Sequence, residues 1–402
     1  MLALALAIGS QSVVAESGWV GTWGASQQTR GTAGSGVPSG KLTFRNIVHV
    51  SQGGTALRLQ LSNEFGTTPL TVGEVHVALS AGSGAIVPGT DQAVTFAGSP
   101  SITIPPGAVA FSDGTSFSLP SFSNLAVSVY LPAQSIPSSS CHPDAIATNY
   151  NNAGNVVAAS SLASSSTTWC YLRAVDVQSA TATSAVVTLG DSITAGYQSP
   201  SDANDRWPDF LAANLQQNSA TAGIGVVNEG VVGNLLLNAG VGPNGLARLD
   251  RDVLAQSGVG YLIVLEGIND LDSSSPPGSV ATAQALIAGY EQIVMRAHNH
   301  GIKVFGATLT PDGGNIYFPA NNDVARQTVN AWIRTSGVFD GVIDFDSVLT
   351  NGAVPPAIPA LLPAYDSGDH MHPNAAGYQL MANTVNLALF QNSTNTTGKG
   401  TK

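Results

Sequence analysis

Two different patterns of hydrophobic and polar positions divide the chain near residue 184. Residues 18–131 contain short segments in which apolar and polar side chains alternate, most strictly over residues 55–62, where three leucines share one face. Gly, Pro, Asn and Asp separate these segments at short intervals. The pattern is typical of antiparallel strands, and it predicts a β-sandwich or jelly-roll domain over residues 18–131.

After residue 184 the apolar runs recur at about 40-residue intervals and alternate with amphipathic segments. The predicted strands cover residues 185–189, 225–232, 261–265, 302–309 and 341–345. The predicted helices cover residues 206–217, 245–256, 281–300, 323–336 and 373–390. Strands that alternate with helices predict a five-stranded parallel sheet covered on both faces. We therefore expect a three-layer α/β/α sandwich with flavodoxin-like strand order over residues 184–390.

Three segments lie outside these two patterns. Residues 1–15 form an apolar run that ends in small residues, which predicts a secretory signal peptide. Residues 132–183 are rich in Ser, Ala and Thr and predict a partly ordered connecting segment. Residues 391–402 predict a disordered polar tail, in which Asn392 and Asn395 begin two candidate glycosylation sequons.

The composition narrows the function classes. Charged residues make up only 10% of the 402 residues, against roughly 25% in ordinary soluble domains. The net charge is −11 and the basic residues are scattered singly, which argues against partners such as nucleic acid or anionic membranes. No run of ~20 apolar residues predicts a membrane span. A neutral, hydroxyl-rich surface favours an extracellular protein.

Cys141 and Cys170 are the two cysteines of the chain. They fit an oxidising compartment, where they would form a disulfide; the alternative is two buried free thiols. The sequence has no Cys-x-x-Cys motif or Cys/His cluster, so it predicts no metal site.

Candidate chemical residues follow successive predicted strands. Ser192 comes after the first strand, Gly233 after the second and Asn269 after the third. The carboxyl ends of parallel strands meet at one edge of a sheet, where α/β folds keep their sites. Each residue also has a structural interpretation, because Gly-Asp-Ser and glycine form turns and asparagine caps helices. A main-chain N–H and an amide side chain are, however, the donors that an oxyanion needs.

A serine nucleophile also needs a base and a carboxylate that orients the base. His372 is suited to be the base, because Pro373 can start the final helix and leave the histidine on the preceding loop. Asp369 lies three residues upstream and could orient it, although it could equally be a surface acid. His370 and Asp366 are the alternative histidine and carboxylate.

These residues lie in motifs that resemble the four blocks of the SGNH (GDSL-type) hydrolases. The motifs are Gly190-Asp-Ser-Ile, a glycine in the second block, Gly267-Ile-Asn-Asp and Asp369-x-x-His-Pro. The resemblance spans residues 186 to about 389, in the family's order and spacing. Its one departure is Ile193, where leucine is commonest. The first half of the chain is also similar to the all-β module of some secreted members.

The resemblance implies that Ser192 is the nucleophile and that His372 acts as base and then as acid. Asp369 would orient His372, and the family's spacing favours this pair over Asp366 and His370. The N–H groups of Ser192 and Gly233 and the side chain of Asn269 would form the oxyanion hole. No cofactor is implied.

We therefore expect a secreted carboxylic-ester hydrolase that works through an acyl-enzyme. The expected substrates are acetyl or other short-chain acyl esters of carbohydrates, either small molecules or polysaccharides. A lipase or lysophospholipase is the alternative within the enzymes. A non-catalytic carbohydrate-binding protein with a decayed hydrolase domain is the alternative outside them.

Overall fold

The structure is a computed structural model that describes residues 18–30, 41–274, 277–318, 323–354 and 357–391. The predicted signal peptide, residues 1–15, lies outside the described residues. The two predicted sequons at Asn392 and Asn395 also lie outside them.

The described residues before 184 form a β-rich domain. Its strands are β1 (Val20–Gly24), β2 (Gln28–Arg30), β3 (Leu42–His49), β4 (Gly54–Ser62), β5 (Leu70–Val72), β6 (Glu74–Gly82), β7 (Ala85–Ile86), β8 (Gln92–Val94), β9 (Ile102–Ile104), β10 (Val109–Phe111), β11 (Thr115–Leu119), β12 (Asn124–Leu131), β13 (Ser139–His142), β14 (Asn149–Ala153), β15 (Ser164–Ser166), β16 (Trp169–Cys170) and β17 (Leu172–Gln178).

Two antiparallel sheets dominate this domain. One has the order β1-β17-β4-β10, with β11 also paired to β4, and the other has the order β15-β14-β3-β12-β6-β7, with β8 paired to β6. Side chains of both sheets share one core, in which Leu57, Leu59 and Leu61 of β4 are fully buried. The strict alternation in the sequence of β4 therefore comes from packing against this core. The finer prediction, a jelly-roll topology, stays a prediction.

The prediction of a partly ordered connection over residues 132–183 is wrong, because strands β13 to β17 lie there. β17 runs between β1 and β4 in the first sheet. The apolar–polar alternation of its sequence is interrupted, because Ala174 and Val175 are adjacent apolar residues. Asp176 accepts hydrogen bonds from Arg58 and from Ser257 of the second domain. The pairing of β17 with β4 also shifts register between Leu172 and Ala174, an irregularity that sequence periodicity does not predict.

The second domain contains the predicted parallel sheet. Its strands are β18 (Ser184–Gly190), β19 (Ile224–Gly230), β20 (Val259–Leu265), β21 (Lys303–Ala307) and β22 (Gly341–Ile343). All four strand pairs are parallel, and the order β19-β18-β20-β21-β22 is the flavodoxin-like 2-1-3-4-5 order. The five strands, their order and their parallel direction are confirmed.

The helices of this domain lie close to the predicted ranges. They are α1 (Ser192–Ala195), α2 (Trp207–Gln217), α3 (Gly245–Leu249), α4 (Ile268–Asp272), α5 (Val280–His298), α6 (Asp323–Thr335), α7 (Phe345–Leu349) and α8 (Ala375–Thr384), with a π-helical turn at Asp250–Leu254 and a 3-10 turn at Leu387–Phe390. Helix α8 begins after the cap residue Asn374 rather than at Pro373, because the Asn374 side chain accepts from the N–H of Gly377. No helix in these described ranges has the length and apolar content to cross a bilayer.

The two domains pack through the edge strand β19. Strand β1 lies against it, and glycines allow the close approach: a Cβ at Gly225 would lie 2.3 Å from the main-chain oxygen of Gly21. The Ser51 hydroxyl accepts from the N–H of Val226 at 2.8 Å and donates to its carbonyl at 3.0 Å. The β-rich domain thus covers an edge that would otherwise leave main-chain groups unpaired.

Candidate active site

The turn after β18 presents Ser192 at the carboxyl end of the sheet. Asp191 caps the short helix α1 by accepting from the N–H of Ile193 at 2.9 Å, so Ser192 is the first helical residue. Gly190 allows the turn, because a Cβ there would lie 2.4 Å from the carbonyl oxygen of Leu265. Gly196, at φ +85°, ends the helix in the left-handed conformation.

Three predicted catalytic side chains form one continuous chain of hydrogen bonds. Nε2 of His372 lies 2.8 Å from Oγ of Ser192, and Nδ1 of the same ring lies 2.7 Å from Oδ2 of Asp369. All three residues are buried, none more than 5% exposed. Burial strengthens the electrostatic contacts along this chain. The arrangement has the distances that a serine nucleophile, a base and an orienting carboxylate require.

Asp369 is held as a carboxylate by the loop that carries it. Burial acts to raise its pKa, but hydrogen bonds from the His372 ring and from the N–H groups of His372 and Met371 outweigh burial and lower the pKa below its usual value. Its Oδ2 also accepts from Gln198 Nε2 at 3.2 Å and from the Tyr317 hydroxyl at 3.4 Å. A permanently charged Asp369 can stabilise a protonated His372.

The alternative pair, His370 and Asp366, is oriented differently. Nδ1 of His370 bonds to Oδ2 of Asp366, and the His370 side chain is 49% exposed. His370 adopts φ +62°, a left-handed conformation that reverses the chain between the two histidines. In this geometry His372, and not His370, contacts Ser192.

Gly233 and Asn269 lie with Ser192 and His372 around one cavity of about 220 Å³. Gly233 adopts φ +74° in the loop after β19, and Asn269 lies in the first turn of α4, next to the end of β20. Asn269 Nδ2 donates to the carbonyl of Asn234 at 3.0 Å. Because an amide NH₂ carries two hydrogens, this bond orients Asn269 and leaves one donor.

The other residues around the cavity are apolar or aromatic. They are Tyr197, Val232, Tyr317, Phe318 and Met371. Rings of Tyr197 and Tyr317 lie edge-on to the imidazole of His372, at centroid distances of 4.8 and 5.8 Å. These contacts restrict the orientation of His372 from two sides.

Arg248 is a residue of this site that sequence reasoning missed. It lies on α3 and is fully buried under the carboxyl ends of the strands. Its guanidinium donates to the carbonyls of Gly190 and Glu229, to Oδ1 of Asn234 at 2.9 Å and to a carboxylate oxygen of Glu266 at 3.2 Å. Arg248 therefore joins the ends of β18, β19 and β20. In the sequence, its role is indicated only by a single arginine among the apolar residues of α3.

Asp270 follows the third strand with Asn269, and its role in the site was not predicted from the sequence. Its carboxylate accepts from the N–H groups of Leu236 and Leu237, at 2.7 and 3.0 Å. These bonds tie the loop that carries Gly233 to the helix that carries Asn269. Burial raises the pKa of Asp270 to about 6, against these two hydrogen bonds, which lower it. Among the described residues there is no group of three or more His, Cys, Asp or Glu side chains placed to bind a metal ion.

The disulfide predicted from the sequence is present between Cys141 and Cys170. The two residues face each other on the paired strands β13 and β16. Next to them, His142 is buried under the ring of Trp169 and bonds through Nδ1 to the carbonyl of Ser26. The bridge therefore lies inside the β-rich domain, near its contact with the second domain.

Comparison with known proteins finds a family match within the second domain. Residues 188–380 match the GDSL-like lipase/acylhydrolase family. A search of curated proteins found no match. The match lies within the second domain and is to the GDSL-type hydrolases that the sequence motifs resemble, so this resemblance is confirmed.

Several solved structures are similar to about half of the chain. A GDSL-like lipase from Bacteroides thetaiotaomicron is 19% identical, with 51% of this chain and 87% of that chain covered and a TM-score of 0.38. An acetyl xylan esterase variant from Geobacillus stearothermophilus is 21% identical, with coverages of 52% and 94% and a TM-score of 0.38. The acetyl xylan esterase AlAXEase is 18% identical, with coverages of 50% and 96% and a TM-score of 0.38.

Proposed function

We propose that this protein is a secreted serine hydrolase that cleaves short-chain acyl esters of carbohydrates through an acyl-enzyme. The observation that carries the proposal is the hydrogen-bonded chain from Asp369 through His372 to Ser192, which ends in a small cavity. The match of residues 188–380 to the GDSL-like lipase/acylhydrolase family supports ester hydrolysis as the reaction class. The disulfide supports an oxidising compartment.

In the first half-reaction, Oγ of Ser192 attacks the ester carbonyl while Nε2 of His372 takes its proton. Asp369 holds the imidazole through Nδ1 and stabilises the imidazolium that forms. The N–H groups of Ser192 and Gly233 and the free hydrogen of Asn269 Nδ2 donate to the oxyanion. His372 then gives its proton to the leaving alcohol, and the acyl group remains on Ser192.

In the second half-reaction, a water molecule replaces the alcohol and His372 takes its proton. The same donors stabilise the second oxyanion. Collapse of this intermediate returns the proton to Ser192 and releases the carboxylic acid. The cycle uses only side chains and main-chain groups of this chain.

The cavity supports a short acyl group. Its volume of about 220 Å³ lies below the roughly 300–1,000 Å³ of pockets that enclose drug-sized ligands. Tyr317 is 46% exposed at the mouth, where its ring can stack on a sugar. Only 10% of the residues are charged, and the net charge is −11. Both properties suit a neutral polysaccharide better than an anionic partner.

One observation favours a lipid ester as the second candidate substrate. Ile316 is 62% exposed next to Tyr317, and Val241, which is 47% exposed, packs beside Gly233. Exposed apolar side chains at the rim of a cavity can contact an acyl chain or a lipid surface.

The test is a panel of p-nitrophenyl esters of graded acyl length, together with acetylated xylan and a phospholipid. The proposal predicts the highest kcat/KM for acetyl or butyryl esters, release of acetate from xylan, and loss of activity in Ser192→Ala. Ser199→Ala is the matched control, because this hydroxyl donates to the Gly196 carbonyl outside the cavity. A preference for long acyl chains would favour the lipase. An inactive wild-type protein that binds xylan would favour the non-catalytic alternative.

A further inference from the structure

The wall of the cavity that carries Tyr317 and Phe318 is shaped by one side chain, Asn315. Oδ1 of Asn315 accepts from the N–H of Tyr317 at 3.1 Å and from the N–H of Phe318 at 2.6 Å. Asn315 is 1% exposed. Its amide therefore sets the turn that directs both aromatic residues toward the cavity.

The other end of the Asn315 amide contacts two buried carboxyl groups. Nδ2 lies 3.3 Å from Oδ2 of Asp272 and 3.4 Å from Oδ2 of Asp312. Asp272 is the last residue of α4, the helix whose first turn holds Asn269. A single amide thus connects the helix of the candidate oxyanion donor with the aromatic wall.

The two carboxyl groups also contact each other. Burial, the charge of Asp312 and a hydrogen bond between the two side chains together raise the pKa of Asp272 to about 8. Two adjacent carboxylates that are 6% and 2% exposed cannot both ionise without strong repulsion. At neutral pH the pair therefore holds one proton, which makes the bond between the two groups attractive.

The guanidinium of Arg326 lies beside the pair. Nε of Arg326, on α6, lies 3.6 Å from Oδ1 of Asp312 and lowers the pKa of Asp272 only in part. The same guanidinium also binds Asp323 and Asp346. On the other side of the wall, the carbonyl of Asp369 accepts from the N–H of Ile316.

We propose that Asp272 and Asp312 share one proton and, through Asn315, position the Tyr317–Phe318 wall against the ester, so that loss of the proton weakens substrate binding. Both acids are positioning residues, since neither lines the cavity. The inference rests on the proposed ester hydrolysis and adds a pH dependence of binding to it. When both acids ionise at alkaline pH, their repulsion separates α4 from the wall.

The test is the pH dependence of KM and kcat for p-nitrophenyl acetate, corrected for spontaneous hydrolysis. We expect the KM of the wild-type enzyme to rise about fivefold or more between about pH 7 and 9.5, with kcat within about threefold. Asp312→Asn keeps a donor to Asp272 without the titrating proton, so its KM should vary less than about twofold over this range. Asp250→Asn, at a 72% exposed carboxylate, is the matched control and should follow the wild type.

Asp312→Ala tests whether the loss of this side chain affects only the position of the Tyr317–Phe318 wall or disrupts the site in general. We expect its KM to be raised about tenfold already at pH 7 while kcat stays within about threefold. If this variant does not fold, Asp272→Asn replaces it, with the same flat pH profile as Asp312→Asn. The proposal is overturned if Asp312→Asn shows the wild-type rise in KM, or if the rise appears in kcat alone.

An infrared titration detects the shared proton directly, without a measurement of catalysis. The carbonyl stretch of a protonated carboxyl group should disappear from the wild type near pH 8, and this component should be missing in Asp272→Asn. If the band disappears near pH 8 in the wild type and is missing in Asp272→Asn, but the protein hydrolyses no ester, the proposed function is refuted and the shared proton is supported. If esters are hydrolysed but the band is equal in both proteins, the shared proton is refuted.

Discussion

Arg248 donates through Nη2 to the carbonyl oxygen of Gly190 at 2.9 Å, directly before the turn that carries Ser192. The same side chain binds the carbonyl of Glu229 and the carboxylates of Asp252 and Glu266. A buried cation thus holds together the strand ends on which the candidate active site is built.

Arg248→Met should remove this connection. We expect the free energy of unfolding to fall by about 3–5 kcal/mol, because the buried acidic partners lose their compensating charge. Urea unfolding followed by circular dichroism measures the change. Arg296→Met is the control: Arg296 pairs with the 72% exposed Asp250, and its loss should cost less than about 1 kcal/mol. Equal decreases in the free energy of unfolding of the two variants would show that Arg248 contributes no more to stability than the surface residue Arg296 does.

Asn269→Ala tests the predicted oxyanion donor. Because the donor acts on charge that develops in the transition state, kcat should fall by about 10²–10³-fold with little change in KM. Steady-state kinetics on p-nitrophenyl acetate measure both constants. Asn383→Ala, at a surface hydrogen bond with Asn214, should leave both unchanged. An effect confined to KM would make Asn269 a substrate-positioning residue instead.

Asp369→Asn tests the orientation of His372. The amide can no longer stabilise the imidazolium, and it favours the wrong tautomer, so kcat should fall by about 10³–10⁴-fold. Asp366→Asn is the matched change in the same loop, on the carboxylate that binds His370. It should keep kcat within about threefold. The opposite ranking of the two variants would assign the roles to Asp366 and His370.

The pH dependence of stability tests the buried state of Asp191. Burial raises the pKa of this carboxyl to about 7, against the hydrogen bond from Ile193. Between pH 4 and 7 Asp191 therefore holds a proton in the folded protein that it lacks in the unfolded chain, so its contribution to the free energy of unfolding falls as the pH rises. Asp191→Asn retains the cap and should make the slope less steep by up to about 1.4 kcal/mol per pH unit. An unchanged slope in urea titrations would show that Asp191 is ionised.

Gly225→Ala tests the contact between the domains. The added Cβ would lie 2.3 Å from the Gly21 carbonyl, so the strands must separate, at a cost of about 1–3 kcal/mol. Gly260→Ala is the control, since its Cβ would meet Ser184 at an ordinary 3.4 Å. Thermal unfolding compares the two. If they behave alike, β1 does not brace the edge strand β19.

The periodicity of the second half of the chain was enough to predict its five parallel strands and their order. The same pattern brought Ser192, Gly233 and Asn269 to one edge, since the carboxyl ends of parallel strands converge there. The partners of these residues were not predictable. Arg248 and the Asp272–Asp312 pair act through contacts between segments far apart in sequence. Strand β17 was missed because two adjacent apolar residues, Ala174 and Val175, interrupt its apolar–polar alternation.

In the proposed mechanism, Ser192 carries the acyl group during turnover. The most direct measurement is peptide mass spectrometry after the reaction with p-nitrophenyl acetate has been stopped by acid within the first turnover. We expect one acetyl group on the peptide that contains Ser192 in the wild type, and neither label nor turnover in Ser192→Ala. Turnover without a label on Ser192, or equal rates in the two proteins, would contradict it.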